Sequence, residues 1–408
     1  MTTSPSFVIV GASLAGAKAA QALREEGFDG PITLIGDEPH RPYERPPLSK
    51  DYLQGVSERE NVFVHPDGWY AEHHVELRLS TEVTALDPGA HQVVLAGGDR
   101  LGYDKLLLTT GSIPRRVTVP GAGLEGVHYL RRLEDSEHIR AAFATASRVA
   151  IIGAGWIGLE TAAAARAAGL EVTLLEAAEL PLLRVLGAEV ARLFADLHRR
   201  HGVDLRTGVT VSELTGDAGR VTGVRLGAGT VVDADVVLVG VGIAPNDALA
   251  REAGLDVGNG ITVDEHLRTS HPDVYAAGDV ANAYHPLLGQ HVRVEHWANA
   301  RRQGATAAKT MLGHDAVYDR LPYFFSDQYD LSMEYTGYIG SAGYETVVFR
   351  GDPASTEFIA FWLAGGRVLA GMNVNTWDVT EPIDMLVAAG RSVDLDALRD
   401  PKVPLHGL

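Results

Sequence analysis

The stretch IIGAGWIGLE, residues 151–160, decides the fold of this chain. It continues the apolar segment RVAII (148–152) through Gly153, Gly155 and Gly158 into a helical pattern. This spacing is typical of a strand, a tight turn and a helix whose first N–H groups bind a dinucleotide pyrophosphate. A glycine at each of these positions lets the backbone turn sharply, approach the phosphates and pack closely. The stretch therefore predicts a dinucleotide site.

A near-copy of this pattern, VIVGASLAG (8–16), lies close to the beginning of the chain. Gly11 and Gly16 are in place, and Ser13 occupies the position of the middle glycine, where a small side chain is tolerated. The alternative interpretation of GASLA as the nucleophile elbow of a hydrolase requires a glycine where Ala15 stands. Each loop is followed by a helix whose N-terminus carries partial positive charge. The chain therefore has two candidate phosphate-binding loops.

Both loops lie in the same local layout of strand, loop, helix and strand. FVIV (7–10), a helix from Leu14 to Glu26 and PITLIGD (31–37) form the first unit, and EVTLLE (171–176) ends the second. Such alternation builds parallel sheets with helices on their faces. The fold class is therefore predicted as α/β with two Rossmann-like dinucleotide-binding domains, followed by a C-terminal α+β domain that begins where the aromatic, alternating pattern FFSDQYDLSMEY appears.

A carboxylate stands at the end of the second strand of each unit. Asp37 and Glu176 can each accept hydrogen bonds from ribose hydroxyls of a bound nucleotide. The negative charge of Glu176 would repel a 2′-phosphate, and AAELPLL (177–183) offers no arginine before Arg184. The second site is therefore expected to prefer NADH over NADPH.

Composition excludes several classes of function. The 408 residues suggest two to three domains, and the formal charge of −18 argues against a nucleic-acid partner, which needs clustered Lys and Arg. The chain has no cysteine, which excludes disulfides, thiolate metal ligands and redox-active dithiols. We find no apolar run long enough for a membrane helix, so a cytoplasmic protein without a membrane partner is expected. No metal site is expected, since the 16 histidines form no HExxH pattern.

Two further segments resemble motifs of flavoproteins with two dinucleotide sites. TTGSIP (109–114) follows the apolar run LLL (106–108), and TSHPDVYAAGD (269–279) ends in Gly278 and Asp279. In those flavoproteins the carboxylate of the Gly-Asp pair binds the ribityl chain of the flavin. The resemblance implies FAD, bound tightly and without a covalent bond, in the first site.

The family is indicated by segments spread along the whole chain. RPYERPPLSKDYL (41–53), LRRLEDS (130–136), AAGDVAN (276–282) and VEHWANARRQG (294–304) resemble the ferredoxin reductases of cytochrome P450 and ring-hydroxylating dioxygenase systems, of the putidaredoxin reductase and biphenyl dioxygenase reductase type. That family has the glutathione reductase fold without its redox cysteines, and this chain has no cysteine.

The resemblance implies a set of contacts for each nucleotide. The implied FAD contacts are Gly11, Ser13, Leu14, Ala15, Gly16, Asp37, Arg45, Pro46, Lys50, Val83, Thr110, Gly111, Arg131, Gly278, Asp279, Glu295, His296 and Trp297. The implied NAD contacts are Gly153, Gly155, Trp156, Ile157, Gly158, Glu160, Glu176, Arg184 and Gly242. Ordinary structural roles stay open for Val83, as a buried strand residue, and for Arg184, as an exposed helix charge.

Lys50 and Glu160 are the implied catalytic residues. In the family, a glutamate at the position of Glu160 meets the lysine of the PPLSK loop beside the flavin ring. Pro46 and Pro47 fix the backbone φ and would hold the neighbouring Lys50 in place. The alternative is that Glu160 only stabilises the helix N-terminus, where a carboxylate is favoured by the dipole.

The implied function is hydride transfer from NADH to FAD, followed by single-electron transfer to a [2Fe–2S] ferredoxin that serves a cytochrome P450 or a ring-hydroxylating dioxygenase. Arg301 and Arg302 are candidates for docking the acidic acceptor. The alternative is that they are ordinary solvated helix arginines. A rubredoxin or monodehydroascorbate-type reductase is the alternative enzyme, and an apoptosis-inducing-factor-like NADH-responsive protein is the alternative of another class. A monomer or a homodimer is expected.

The resemblance also implies a division into domains. Residues 1–110 and 245–323 would form a discontinuous FAD-binding domain, residues 111–244 the NAD-binding domain, and residues 324–408 the C-terminal α+β domain.

Overall fold

The computed structural model describes residues 4–340 and 342–408, and these form two compact units. The first unit comprises Met1–Glu44, Arg59–Ile113 and Ala244–Arg320. The second comprises Arg45–Glu58, Pro114–Ile243 and Leu321–Leu408. The segment that contains the two prolines and Lys50 thus belongs to the second unit, together with Glu160.

The first unit is built on a five-stranded parallel sheet. Its central strand, Phe7–Val10, pairs on one side with Ile32–Ile35 and on the other with Lys105–Leu108. The outer strands are Val75–Arg78 and Val274–Ala276. All four residues of the central strand are buried, as expected for an uninterrupted apolar run in the middle of a parallel sheet. The first glycine-rich loop (residues 11–16) therefore leaves the sheet at its centre.

Two helices of the first unit pack closely against each other. Leu14–Glu25 follows the first glycine-rich loop, and it lies against Trp297–Met311. A Cβ atom at Gly304 would come within 2.3 Å of the carbonyl oxygen of Ala15, so only glycine fits there. The other elements of this unit are the helices Trp69–Glu72 and Ala248–Glu252, the 3-10 turns Arg59–Val62 and Gly278–Val280, and the strands Val83–Asp87, Gln92–Leu95, Arg100–Gly102, Val257–Gly258, Gly260–Val263, Ala281–His285 and Gln290–Val292.

The second unit contains a parallel sheet of the same design. Its central strand, Arg148–Ile152, lies between Glu171–Leu175 and Val236–Val239, with Asp204–Arg206 and Val127–His128 at the two edges. The second glycine-rich loop (residues 153–158) also leaves its sheet at the centre. The remaining elements around this sheet are the helices Leu133–Phe143, Trp156–Ala167 and Leu183–Arg200, the 3-10 turn Pro46–Ser49, and the antiparallel strands Val211–Asp217, Arg220–Leu226 and Val231–Asp233.

The end of the chain forms a separate antiparallel sheet within the second unit. Its strands are Tyr323–Gln328, Leu331–Gly337, Arg367–Val374, Glu357–Ala364 and Thr346–Asp352, in spatial order. The helices Thr380–Ala389 and Leu395–Arg399 and the 3-10 turns Pro353–Ser355 and Leu405–Gly407 accompany it. Two short strands, Ser112–Pro114 and Ile243–Pro245, lie where the chain passes from one unit to the other. The predicted class, two Rossmann-like sheets and a C-terminal α+β part, is confirmed.

Within the described residues, none of the helices has the length and apolarity that a membrane crossing requires.

Candidate active site

The three glycines of the second glycine-rich loop differ in the space that a Cβ atom would find there. Gly153 has φ of +99°, and a Cβ there would lie 2.3 Å from the carbonyl oxygen of Gly240. A Cβ at Gly158 would lie 2.0 Å from the carbonyl oxygen of Gly153. At Gly155, by contrast, a Cβ would meet no atom within 4 Å. Packing therefore requires the outer two glycines, whereas Gly155 keeps the N-terminus of helix Trp156–Ala167 bare, as a bound pyrophosphate needs.

The carboxylate of Glu176 lies beside this loop. Its Oε2 accepts a hydrogen bond of 2.7 Å from the N–H of Ala154, and its Oε1 accepts one of 2.8 Å from the N–H of Ala178. A carboxylate oxygen can accept more than one hydrogen bond, so both oxygens can also accept from a ribose hydroxyl. The loop and the expected ribose acceptor are thus held together by the chain itself.

The other predicted NAD contacts surround the same end of the sheet. Ile157 is exposed, and Trp156 packs against Phe324 with 5.0 Å between ring centroids. Gly242, with φ of +101°, accepts a hydrogen bond of 2.9 Å from the backbone N–H of Arg115. Arg184 is exposed in the first turn of helix Leu183–Arg200, before a break at Gly187. The structure places these residues without assigning a ligand to them, and their role stays a prediction.

The first glycine-rich loop follows the same rules in the first unit. Gly11 has φ of +119°, and a Cβ there would lie 2.2 Å from the carbonyl oxygen of Thr109. A Cβ at Gly16 would lie 2.4 Å from the carbonyl oxygen of Gly11. Ser13 takes the N-cap position of helix Leu14–Glu25, where the middle glycine of the pattern would stand. The first loop therefore has the same backbone constraints as the second, and its role in phosphate binding stays a prediction.

The Gly-Asp pair lies beside the start of helix Trp297–Met311. The N–H of Gly278 donates to Oε1 of Gln303 at 2.8 Å, and Ser112 Oγ donates to Asp279 Oδ2 at 3.3 Å. The hydroxyl of Thr110 donates to the carbonyl of Asn246 at 2.6 Å. These bonds fix the loop after strand Lys105–Leu108 relative to Asp279. Of the other predicted contacts in this unit, Asp37 is exposed, Gly111 accepts from the N–H of Asn246, and Val83 is half-buried at the start of its strand.

The helix Trp297–Met311 begins at a group of predicted FAD contacts. His296 is its N-cap residue, and burial lowers the pKa of the imidazole to about 4, which leaves it neutral near pH 7. Arg293 pairs with Glu295. The guanidinium of Arg301 lies 4.3 Å from the ring centroid of Trp297. Arg301, a candidate for acceptor docking, is exposed but also stacks on its own helix.

In the second unit the structure brings Lys50 and Glu160 together. Nζ of Lys50 is 3.3 Å from Oε1 of Glu160, and the two side chains are only 12% and 5% exposed. Ser49 Oγ donates to Glu160 Oε2 at 2.5 Å, and Ser326 Oγ donates to Glu160 Oε1 at 2.7 Å. The ammonium also lies 4.5 Å from the ring centroid of Phe325. The carboxylate thus has three donors, and the ammonium has a fixed position.

The remaining predicted FAD contacts of this unit are Arg45, Pro46 and Arg131. Arg45 and Pro46 begin the 3-10 turn Pro46–Ser49, which ends directly before Lys50. The backbone N–H of Arg131 donates to Asp135 Oδ2 at 2.9 Å, ahead of helix Leu133–Phe143. Ser136 of that helix donates to the carbonyl of Leu48 at 2.8 Å. The short turn before Lys50 is therefore anchored to this helix through Leu48.

Sequence reasoning missed three neighbours of the ion pair: Ser49, Phe325 and Ser326. Ser49 precedes Lys50 in the PPLSK loop, so its place in the loop was visible even though its bond to Glu160 was not. Phe325 and Ser326 lie in the C-terminal strand Tyr323–Gln328, far from both partners in sequence. A single sequence carries no local signal for such a contact.

Family models match nearly all of the chain. Residues 5–304 match the pyridine nucleotide-disulphide oxidoreductase family, and residues 323–408 match the reductase C-terminal family.

The described residues include no group of three or more His, Cys, Asp or Glu placed to hold a metal ion.

Known proteins similar to this chain point to one branch of that family. The chain is 41% identical to the ferredoxin reductase subunit of 5,5′-dehydrodivanillate O-demethylase from Sphingobium sp., over 98% of this chain and 97% of the relative. It is 42% identical to the ferredoxin–NAD(+) reductase component of the anthranilate 1,2-dioxygenase system from Burkholderia cepacia, over 99% of both. The putidaredoxin reductase chain in a covalent complex with putidaredoxin superposes with a TM-score of 0.95 at 38% identity, over 99% of this chain and 98% of that one. The chain therefore belongs to the pyridine nucleotide-disulphide oxidoreductase family, among its ferredoxin reductases.

Proposed function

We propose that this protein is an FAD-dependent NADH:ferredoxin oxidoreductase. It takes a hydride from NADH onto tightly but non-covalently bound FAD and passes the electrons one at a time to a [2Fe–2S] ferredoxin. The observation that carries this proposal is the presence of two glycine-rich loops, built by the same backbone constraints, in a chain without cysteine. NADH and FAD can exchange a hydride when both are bound. This chain has no dithiol of its own that could receive the electrons afterwards.

FAD supplies the chemistry that links the two halves of the reaction, because a flavin accepts a hydride and releases electrons singly. The residues present fit this group. A Cβ atom at Gly11 or Gly16 of the first loop would clash with a backbone oxygen, and a small residue, Ser13, lies between them. The second loop, with Gly155 open and Glu176 beside it, is assigned to NADH. Residues 1–110 and 245–323 would bind FAD, residues 111–244 would bind NADH, and residues 324–408 would form the C-terminal α+β domain.

Lys50 and Glu160 are assigned to the reaction itself. The Lys50 ammonium would stabilise the negative charge that the flavin gains on reduction, since a preorganised cation in a water-poor site acts strongly. Glu160 holds this ammonium at 3.3 Å and would also bind the carboxamide of NADH. Pro46–Ser49 and Ser326 fix the two side chains, so their positions need not change during transfer.

The electron acceptor is assigned from the relatives and from chemistry. The relatives named above are ferredoxin reductases of a demethylase and a dioxygenase system, and the structural neighbour is bound to putidaredoxin. We propose an acceptor of the same kind, in a cytochrome P450 or ring-hydroxylating dioxygenase system. The reaction would take place in the cytoplasm, where NADH is available.

The proposal is tested by purification, an absorption spectrum and anaerobic titration with NADH. We expect a yellow protein whose flavin absorbance is bleached by one equivalent of NADH, and fast reduction of a [2Fe–2S] ferredoxin in turnover. A colourless protein that takes up no FAD would contradict the proposal. Faster reduction of rubredoxin or of a monodehydroascorbate-type acceptor would favour the alternative enzymes. Slow oxidation of NADH that is indifferent to the acceptor would favour a binding role.

Exchange of Glu176 for glutamine is expected to relax the preference for NADH. The change removes the charge that would repel the 2′-phosphate of NADPH, and like charges placed together cost several kcal/mol. We expect the ratio of kcat/KM for NADPH to that for NADH to rise by about tenfold or more. Glu171→Gln, an exposed change at the start of strand Glu171–Leu175, which Glu176 follows, is the matched control and leaves the ratio unchanged. An unchanged ratio in Glu176→Gln would contradict the assignment.

A further inference from the structure

A continuous chain of hydrogen bonds leads from Glu160 into the C-terminal sheet. Ser326 Oγ donates to Glu160 Oε1 at 2.7 Å, and Gln328 Nε2 donates to Ser326 Oγ at 3.0 Å. Gln328 Oε1 lies 2.9 Å from Nε2 of His198, and the Tyr329 hydroxyl lies 3.2 Å from Nδ1 of the same ring. Ser326, Gln328 and His198 therefore each have a polar partner on both sides.

The three middle members of this chain are buried. Ser326 and Gln328 are each 1% exposed, and His198 is fully buried. Ser326 and Gln328 lie on strand Tyr323–Gln328, whereas His198 lies near the end of helix Leu183–Arg200. Burying a polar group without a hydrogen bond costs on the order of 1–3 kcal/mol. Apolar side chains could fill this space without that cost. The presence of polar residues therefore indicates a functional role for them.

The direction of every bond follows from Glu160. A carboxylate paired with Lys50 has no proton to give, so Ser326 must donate to it. Ser326 then accepts from the amide nitrogen of Gln328, which turns the amide oxygen toward His198. That oxygen can only accept, so His198 must carry its proton on Nε2, and its Nδ1 accepts from the Tyr329 hydroxyl.

The pKa shifts of His198 and Tyr329 agree with this direction. Burial lowers the pKa of His198 to about 4, so the ring is neutral near pH 7 and has one donor and one acceptor. Burial raises the pKa of Tyr329, so its hydroxyl keeps the proton that it donates. Aligned hydrogen bonds polarise one another, and here all four donors point toward the Glu160 carboxylate.

We propose that Ser326, Gln328 and His198 are positioning residues that hold the Glu160 carboxylate, and through it Lys50, in the geometry needed for hydride transfer. The inference rests on the proposed function and assigns part of it to the C-terminal sheet. We call the hydrogen-bonded chain from Tyr329 through His198, Gln328 and Ser326 to Glu160 the relay. The relay acts electrostatically and does not conduct protons, because the amide of Gln328 donates through nitrogen and accepts through oxygen without exchanging a proton. The effect on Lys50 is passed through Glu160, because Ser326 Oγ and Lys50 Nζ both lie at Oε1 of this carboxylate.

The first test measures the relay without any turnover. The holoprotein is labelled with 15N in its histidine rings, and the His198 signals are assigned by their absence in His198→Gln. Long-range 1H–15N correlation spectra then report which ring nitrogen is protonated. We expect His198 in the Nε2–H form at pH 7. Gln328→Met, which removes the amide that fixes the ring, is expected to shift these signals.

The second test measures flavin reduction by NADH in stopped-flow experiments. In Gln328→Met and Ser326→Ala we expect the limiting rate to fall by about tenfold, as for a modest misplacement of reacting groups. The NADH concentration at half-maximal rate should change by less than about twofold. Ser326→Thr keeps the hydroxyl and should restore most of the rate. Thr336→Val is the matched control, because Thr336 is a buried hydroxyl of the same sheet that bonds to Asp384 instead.

The outcomes separate the relay from the proposed function. An Nδ1–H ring in the wild type would overturn the relay, and so would rates in Gln328→Met and Ser326→Ala that match Thr336→Val. If NADH does not reduce the flavin of the wild type at all, the proposed function fails. The tautomer of His198 then still decides whether the hydrogen bonds run toward Glu160.

Discussion

Replacement of Glu160 by alanine should slow the reduction of bound flavin by NADH on the order of 10²-fold, the usual effect of removing one preorganised electrostatic group. The change leaves the Lys50 ammonium, only 12% exposed, without the carboxylate 3.3 Å away. It also removes the acceptor of the Ser326 hydroxyl and the closer of the two acceptors of the Ser49 hydroxyl. The ammonium would then leave the position in which it can act on the flavin. Stopped-flow absorbance at saturating NADH measures the effect.

Stability has to be measured beside the rate, since removing one partner of a buried ion pair typically costs about 3–5 kcal/mol. The double variant Lys50→Met/Glu160→Gln removes both charges and should regain part of this loss in urea unfolding. It should remain as slow as the single variant, because the ammonium is absent. Recovery of the rate together with stability would mean that the pair is only structural. A Glu160→Ala protein with wild-type flavin reduction would rule out a catalytic role altogether.

The sequence was most informative where the structure depends on local geometry. The glycines of both loops could be predicted because their positions relative to the flanking strand and helix recur with the same spacing. The structure adds the reason for each one: Gly153 and Gly158 face backbone oxygens, whereas Gly155 faces open space.

Contacts between distant segments were harder to predict. The pairing of Lys50 with Glu160 was expected from family resemblance, and nothing in the spacing of the two residues indicates it. The bond from Ser326 to Glu160 joins positions 166 residues apart, in a strand whose sequence predicts only an antiparallel sheet. The same holds for Gln328 and His198, which are separated by 130 residues. Such contacts depend on how sheets and helices pack, which alternation of apolar residues does not specify.

Valine in place of Gly155 is expected to abolish tight NADH binding while leaving the protein folded. Gly155 is exposed, its φ of −79° suits any residue, and a Cβ there would meet no atom within 4 Å. The added methyl groups would therefore occupy the space of the pyrophosphate rather than disturb the core. We expect the NADH concentration at half-maximal flavin reduction to rise on the order of 10²-fold, the loss of about 3 kcal/mol of binding. The midpoint of thermal unfolding should stay close to that of the wild type.

Two companion variants make this prediction specific. Gly158→Ala places a methyl group 2.0 Å from the carbonyl oxygen of Gly153, so it should destabilise the fold by about 1–3 kcal/mol, as overpacking commonly does. Gly155→Ser copies the first loop, where Ser13 holds the same position, and should weaken NADH binding far less than valine does. If Gly155→Val bound NADH normally, the second loop would not be the pyrophosphate site. If it instead lowered the unfolding temperature as Gly158→Ala does, the middle glycine would serve packing rather than the ligand.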